Sequence, residues 1–182
     1  MSFLKKSLVL ATIASLSFGS ALARQATDEE NETFKSSLNE YVEILSKNDL
    51  ENLIDKTIPP SFYKQLEALT NGTSIDDIKT SLKMSMKQVS NSMKISDVKV
   101  DTNKIRTGEL DNGEPYFIIP SSAVITLNGQ KMALKNEFVA ILEDGKWYFI
   151  DPSRPQQKTM LAKSFPGIEK AQLTPQEFEP IQ

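Results

Sequence analysis

Three dipeptides constrain this chain more than any other feature. Asn112-Gly113, Asn128-Gly129 and Asp144-Gly145 are each flanked by strand-like sequence. Pairs of this kind accept positive φ at little cost and favour tight turns between antiparallel strands. They join four predicted strands, Ile95 to Leu110, Glu114 to Leu127, Lys131 to Glu143 and Lys146 to Asp151. Turns this short permit only antiparallel neighbours, so the second half of the chain reads as a meander. In the third strand Met132, Leu134, Phe138, Ala140 and Leu142 alternate with Lys131, Lys135, Glu137 and Glu143. That pattern predicts one buried face and one face at least partly wet. Pro115 and Pro120, and the broken alternation at Ser96-Asp97-Val98, mark bulges or edge positions where the long strands bend.

The first half has the period of helices instead. Thr27-Asp28-Glu29-Glu30 forms a capping box ahead of a stripe of Phe34, Leu38, Tyr41, Val42 and Leu45. Asn48-Asp49 caps a short second helix, which Pro59-Pro60 stops. Ser61 is the expected cap of a third helix carrying Phe62, Tyr63, Leu66 and Leu69, closed by Asn71-Gly72 as a left-handed C-cap. Ser74 and Asp77 open the fourth, whose apolar residues from Ile75 to Met93 step by three or four. Lys79, Lys83 and Lys87 along it read as a solvated face that complements the helix dipole. A short helix is expected over Gln156 to Ser164, with Leu161 and Phe165 docking on the domain. Asp151, before Pro152, reads as a turn acceptor.

Residues 1–23 have the layout of a secretory signal peptide. Lys5 and Lys6 precede an apolar run from Leu8 to Phe18, and Ala21-Leu22-Ala23 supplies an A-x-A cleavage site. The run is too short for a bilayer, which needs about 20 apolar residues. The expectation is cleavage after Ala23 and a periplasmic or secreted protein without a membrane span. Loss of Lys5 and Lys6 but no acid lowers the net charge from −3 to −5. A mildly acidic chain without a basic tract does not fit nucleic acid, where lysines and arginines must replace condensed counterions. The expected organisation is a signal peptide at 1–23, one α+β domain at 24–166 and an extended Pro- and Gln-containing tail at 167–182.

Helices followed by a long curved meander resemble the NTF2-like and cystatin-like α+β domains. The Ser46-Lys47-Asn48-Asp49-Leu50-Glu51 step resembles the helix break of NTF2-like chains, and Glu143 to Asp151 resembles their last hairpin. From about Leu53 onward the chain is also similar to a group of exported bacterial proteins of unknown function. The features shared with that group are Ile58-Pro59, Asn71-Gly72, the lysines from Lys79 to Lys87, Ile119-Pro120, Trp147 to Asp151 and Phe165-Pro166. Where the group has Tyr before its early proline, this chain has Ile58. The resemblance implies N-terminal helices packed on one face of a curved four-stranded antiparallel meander, forming a cone with a pocket. In some relatives that pocket carries acid, base and tyrosine donors.

The chain has neither Cys nor His. That excludes disulfides, thiol nucleophiles, Cys/His zinc sites, a Ser-His-Asp triad and an axial haem histidine. Its seven glycines are scattered singly rather than gathered in a phosphate loop, and no D-x-D-x-D-G calcium loop occurs. No cofactor or metal is expected. The candidate ligand-binding residues are Tyr116, Ser122 and Thr126 on one face of the second strand, with Asn136 in the core-facing series of the third. The first reading is a non-catalytic exported binding or interaction module. It would present the cone pocket, or an outer sheet face with Val139 and Ile141, to a small ligand, a protein partner or a second copy. The alternative is a small pocket enzyme of isomerase or hydrolase type, using Tyr116 with Asp97 or Asp101.

Overall fold

A computed structural model describes residues 24–181; the predicted signal peptide, 1–23, lies outside the described residues. Helix α1 (Asp28–Ser46) starts at the expected capping box, with Thr27 accepting from the Glu30 amide and Glu30 reaching back to the Thr27 amide. It ends at Asn48, whose φ of 55° turns the chain. The Asn48 side chain accepts from the Ile95 amide at 2.9 Å and donates to the Met93 carbonyl at 3.3 Å, fastening this corner to the first strand. Asp49 caps α2 (Leu50–Thr57) by accepting from the Asn52 amide.

Helix α3 (Pro60–Leu69) begins one residue before the expected cap. Pro60 takes the first helical position, where its missing N–H costs nothing, so Ser61 does not cap. Ser61 instead donates its amide and hydroxyl to Glu143, at 3.0 and 2.9 Å. Ser74 caps α4 (Ile75–Ser90) as expected. Of the stripe along α4 only Ile78 is buried, and Val89 is exposed, because α4 packs mainly on α2 and α3 and only lightly on the sheet. Its lysines are used locally: Lys83 pairs with Asp55 at 2.7 Å, and Lys79 sits 5.0 Å over the Tyr63 ring.

Six strands form one curled antiparallel half-barrel: β1 (Met93–Val100), β2 (Arg106–Glu109), β3 (Pro115–Leu127), β4 (Gln130–Glu143), β5 (Lys146–Ile150) and β6 (Glu177–Pro180). The fold is therefore α+β, with five helices among the described residues, the last being α5 (Pro155–Ser164). The expected single first strand is broken in two. A short 3-10 turn at Thr102–Lys104 separates β1 from β2, and both pair with β3, at its opposite ends. Asp97 and Val98 together oppose Ala123, a bulge where the alternation failed, and Asp97 takes φ 52°. Asn128-Gly129 and Asp144-Gly145 both have positive φ at each residue, the I′ pattern. At Asn112-Gly113 only the glycine does. Leu110 and Glu114 close a longer loop there, with the Asn112 side chain accepting from the Glu114 amide.

Both faces of the sheet are covered at one end, so the face expected to be partly wet is exposed only toward its other end, at Lys131 and Lys135. Phe117, Ile119, Phe138, Ala140 and Phe149 meet Phe34, Leu38 and Tyr41 of α1 on one side. Phe34 stacks on Phe117 at 4.1 Å, and Tyr41 on Phe149 at 4.6 Å, so aromatic rings fill this interior. On the other side Tyr116, Ile118, Val139, Ile141 and Ile150 lie under Phe62, Leu161, Phe165 and Ile168. Val139 and Ile141, expected to face a partner or a second copy, are 0% exposed beneath the chain's own α3, α5 and following segment. The ordered chain also runs past Pro166. Pro166 accepts from the Asp111 amide, Ile168 is buried, and β6 joins the sheet.

Gly108 of β2 faces Tyr116 so closely that an added Cβ would lie 2.1 Å from the ring Cζ. Gly108→Ala must push the tyrosine out of the core. The expected cost is about 1–3 kcal/mol, read as a fall of several degrees in thermal midpoint with the circular dichroism of the folded state retained.

Candidate functional site

A groove opens in the sheet where two strands stop. On one flank of β3, β1 ends opposite Ser121 and β2 begins opposite Ile118. On the far flank of β4, β5 ends opposite Val139 and β6 begins opposite Lys135. Pro120 occupies this row. Its carbonyl accepts from the Asp101 amide on the β1 side, so its ring nitrogen faces the break and no ladder hydrogen bond is lost. A groove of about 550 Å3 crosses the sheet here, lined by Lys99, Pro120, Ser122, Lys135, Glu137 and Pro175 among others.

Register gives the groove its chemistry. Ser122 sits between Lys99 on β1 and Lys135 on β4, so one hydroxyl and two lysines share a face, with the Lys135 ammonium 3.6 Å from a Glu179 oxygen. Pro120 and Pro175 add apolar surface. Asp101 and Glu137, which also line the groove, are already engaged: Asp101 pairs with Lys104 at 2.9 Å and Glu137 with Arg106 at 2.7 Å. The hydrogen bond from Lys104 holds the Asp101 carboxyl below its usual range.

Glu137 also organises the chain beyond the last helix. One of its oxygens accepts from both Arg106 and the Thr174 amide at 2.7 Å, while Arg106 donates to the Gln172 carbonyl at 2.9 Å. The Glu137 side chain is only 10% exposed. It straps residues 172–174 against the sheet and so builds one wall of the groove.

Two of the four candidate ligand residues line this groove, and two do not. Ser122 does, and so does Asn136, whose side-chain oxygen accepts from the Ser121 hydroxyl at 2.5 Å. Asn136 lies on the opposite face of the sheet from Ser122, because adjacent strand positions alternate. Thr126 is opposite Lys94 and Lys131, four positions further along β3. Tyr116 is buried against Gly108, six positions the other way. Burial raises its phenol above the ordinary value, with Lys170 and Arg106 working against that rise.

Tyr116 does not meet the acids of the alternative reading. Asp101 precedes the 3-10 turn near Pro120, and four residues of β3 at about 3.3 Å each separate Pro120 from Tyr116. Asp97 lies on the outside of the bulge, exposed, its carboxylate accepting from Ser96. Asp151 accepts from the Ser153 amide as a turn residue.

A smaller cleft of about 310 Å3 lies between α1, α2 and the β4–β5 turn, lined by Thr33, Ser36, Asp55, Lys56, Lys146 and Tyr148. Nearby, the sealed hydroxyl of Tyr63 has no hydrogen-bond partner among the described residues. Burial pushes its phenol up to about 12, with Asp55 and Tyr148 adding to the rise. Among the described residues no helix is long and apolar enough to cross a membrane. Nor does any group of three acidic side chains there stand close enough to hold a metal ion.

Sequence reasoning missed Glu137, Thr174, Pro175 and Glu177 as groove residues. Parity put Glu137 correctly on the face away from α1, but nothing local says that a segment some 37 positions later returns to it. No protein-family model matches the chain, and no curated protein is similar enough in sequence to count as a relative.

Replacing Glu137 by Ala removes a charged acceptor from two donors at once. The expected loss is about 2 kcal/mol in urea unfolding, together with faster proteolytic nicking between Gln172 and Gln176. Unchanged cleavage there would show that Glu137 does not hold the strap.

Proposed function

We propose that the chain is an exported, non-catalytic binding module of NTF2-like layout, periplasmic or secreted, and that its ligand site is the sheet-break groove rather than an internal cone pocket. The observation that carries this reading is the placement of Lys99, Ser122 and Lys135 side by side in the groove, next to an interior filled by aromatic rings. Lys99 beside the Ser122 hydroxyl, with proline walls and with Lys135 shared between the groove and β6, suits a small anion that has an apolar body.

Export rests on the sequence pattern of Lys5-Lys6, the apolar run from Leu8 to Phe18 and Ala21-Leu22-Ala23. The Arg24 nitrogen donates to Glu109 at 2.6 Å, and the Arg24 guanidinium makes two hydrogen bonds to Glu30. Cleavage after Ala23 would make that nitrogen an ammonium group and the contact an ion pair.

The test uses the mature chain from Arg24 and a naphthalene sulfonate dye as an anionic, apolar probe. Saturable binding is expected, weakened at least tenfold by Ser122→Trp, which fills the groove, and by the pair Lys99→Glu and Lys135→Glu. Near-ultraviolet circular dichroism checks that the variants keep native packing. Equal dye binding by all three proteins would place the probe elsewhere and remove the groove from the account.

A further inference from the structure

We propose that the β4 edge from Met132 to Lys135 is a docking site for an extended acidic peptide strand, and that β6 fills it as an intramolecular stand-in. The inference goes beyond the groove, with which the edge shares Lys135 and Glu177.

The first observation is how little β6 does for the core. Its four residues pair antiparallel with Met132 to Lys135, and the Ile181 amide continues the ladder to the Lys131 carbonyl at 3.0 Å. All four are exposed, and none belongs to either core cluster. Phe178 and Ile181 leave about half their surface in water. A strand held by its ladder and little else is the kind of element that releases locally while the fold stays intact.

The second observation is complementary charge. Register sets Glu177 opposite Lys135 and Glu179 opposite Ala133, on the face that also carries Lys131. Glu179 reaches Lys135 at 3.6 Å. Phe178 lies opposite Leu134, on the other face. Main-chain pairing supplies the attachment and alternate side chains the selectivity, as in strand addition to an open sheet edge. The stand-in thus describes its replacement: acidic residues two apart, an aromatic between them, run antiparallel to β4.

The third is the tether. Residues 172–174 are held by Glu137 and Arg106 independently of β6. Pro175 follows, so β6 can leave the edge without unloading Ile168 or the strap.

The test is fluorescence anisotropy with a labelled peptide of residues 174–182 as probe. Its targets are the mature chain and the variant Glu177→Lys with Glu179→Lys, in which Lys131 and Lys135 repel β6. The released variant should bind the peptide at least tenfold more tightly than the wild type. Binding should weaken with salt, and a peptide with both glutamates changed to lysine should not bind. A chain ending at Gln176 is the second target, and circular dichroism confirms that each target is folded. No binding by either released chain, or equal binding by released and wild-type chains, would overturn the proposal. So would a wild-type dimer in light scattering that excess peptide fails to dissociate, since a second copy would then own the edge.

Discussion

Burial of β4 on both faces governs the rest of this structure. Phe138, Val139, Ala140 and Ile141 run consecutively with 3% exposure or less, alternately against the α1 side and against the side of α3 and α5. Phe138, Val139 and Ile141 each contribute roughly 1.5–3 kcal/mol on leaving water, so this short run anchors both layers at once. It also dictates the chain path. Something must cover the second face, and α5 with the segment through Ile168 does so. Aromatic packing around Phe34 leaves the interior filled, and the groove opens where the layers end.

They end where the strands do. Pro120 can sit in the central strand because its nitrogen faces the break between β1 and β2. The same row lacks a strand partner beyond β4, between β5 and β6. Groove, strap and the edge strand β6 all adjoin this one interruption in the ladder. Glu137 stands at their junction, since its carboxylate is satisfied only when residues 172–174 lie across the sheet.

Much of this architecture was legible because its signals are local. Thr27, Asp49 and Ser74 cap their helices by contacts to the residue three positions on. Asn128-Gly129 and Asp144-Gly145 set their own turn geometry, and the failed alternation at Asp97 is a bulge. Second-face burial had a signal that the alternation of lysine and leucine obscured: Phe138 to Leu142 is an unbroken apolar run, as expected of a strand covered on both sides. The groove was half legible. Ser122 and Asn136 line it, whereas Tyr116 and Thr126 lie too far along β3 in either direction. Its other wall depends on contacts between β4 and residues 172–177, and no local periodicity encodes a contact at that separation.

Native-state hydrogen exchange resolved by residue tests the account most directly. Amides of Phe138 to Ile141 should exchange only through global unfolding, with a protection free energy equal to that from urea titration. Those of Glu177 to Glu179 should exchange through a much cheaper local release, insensitive to denaturant. Equal protection in the two segments would make β6 an integral part of the core. Local exchange at Phe138 to Ile141 would mean that the two layers do not meet on β4, and the account would fail at its centre.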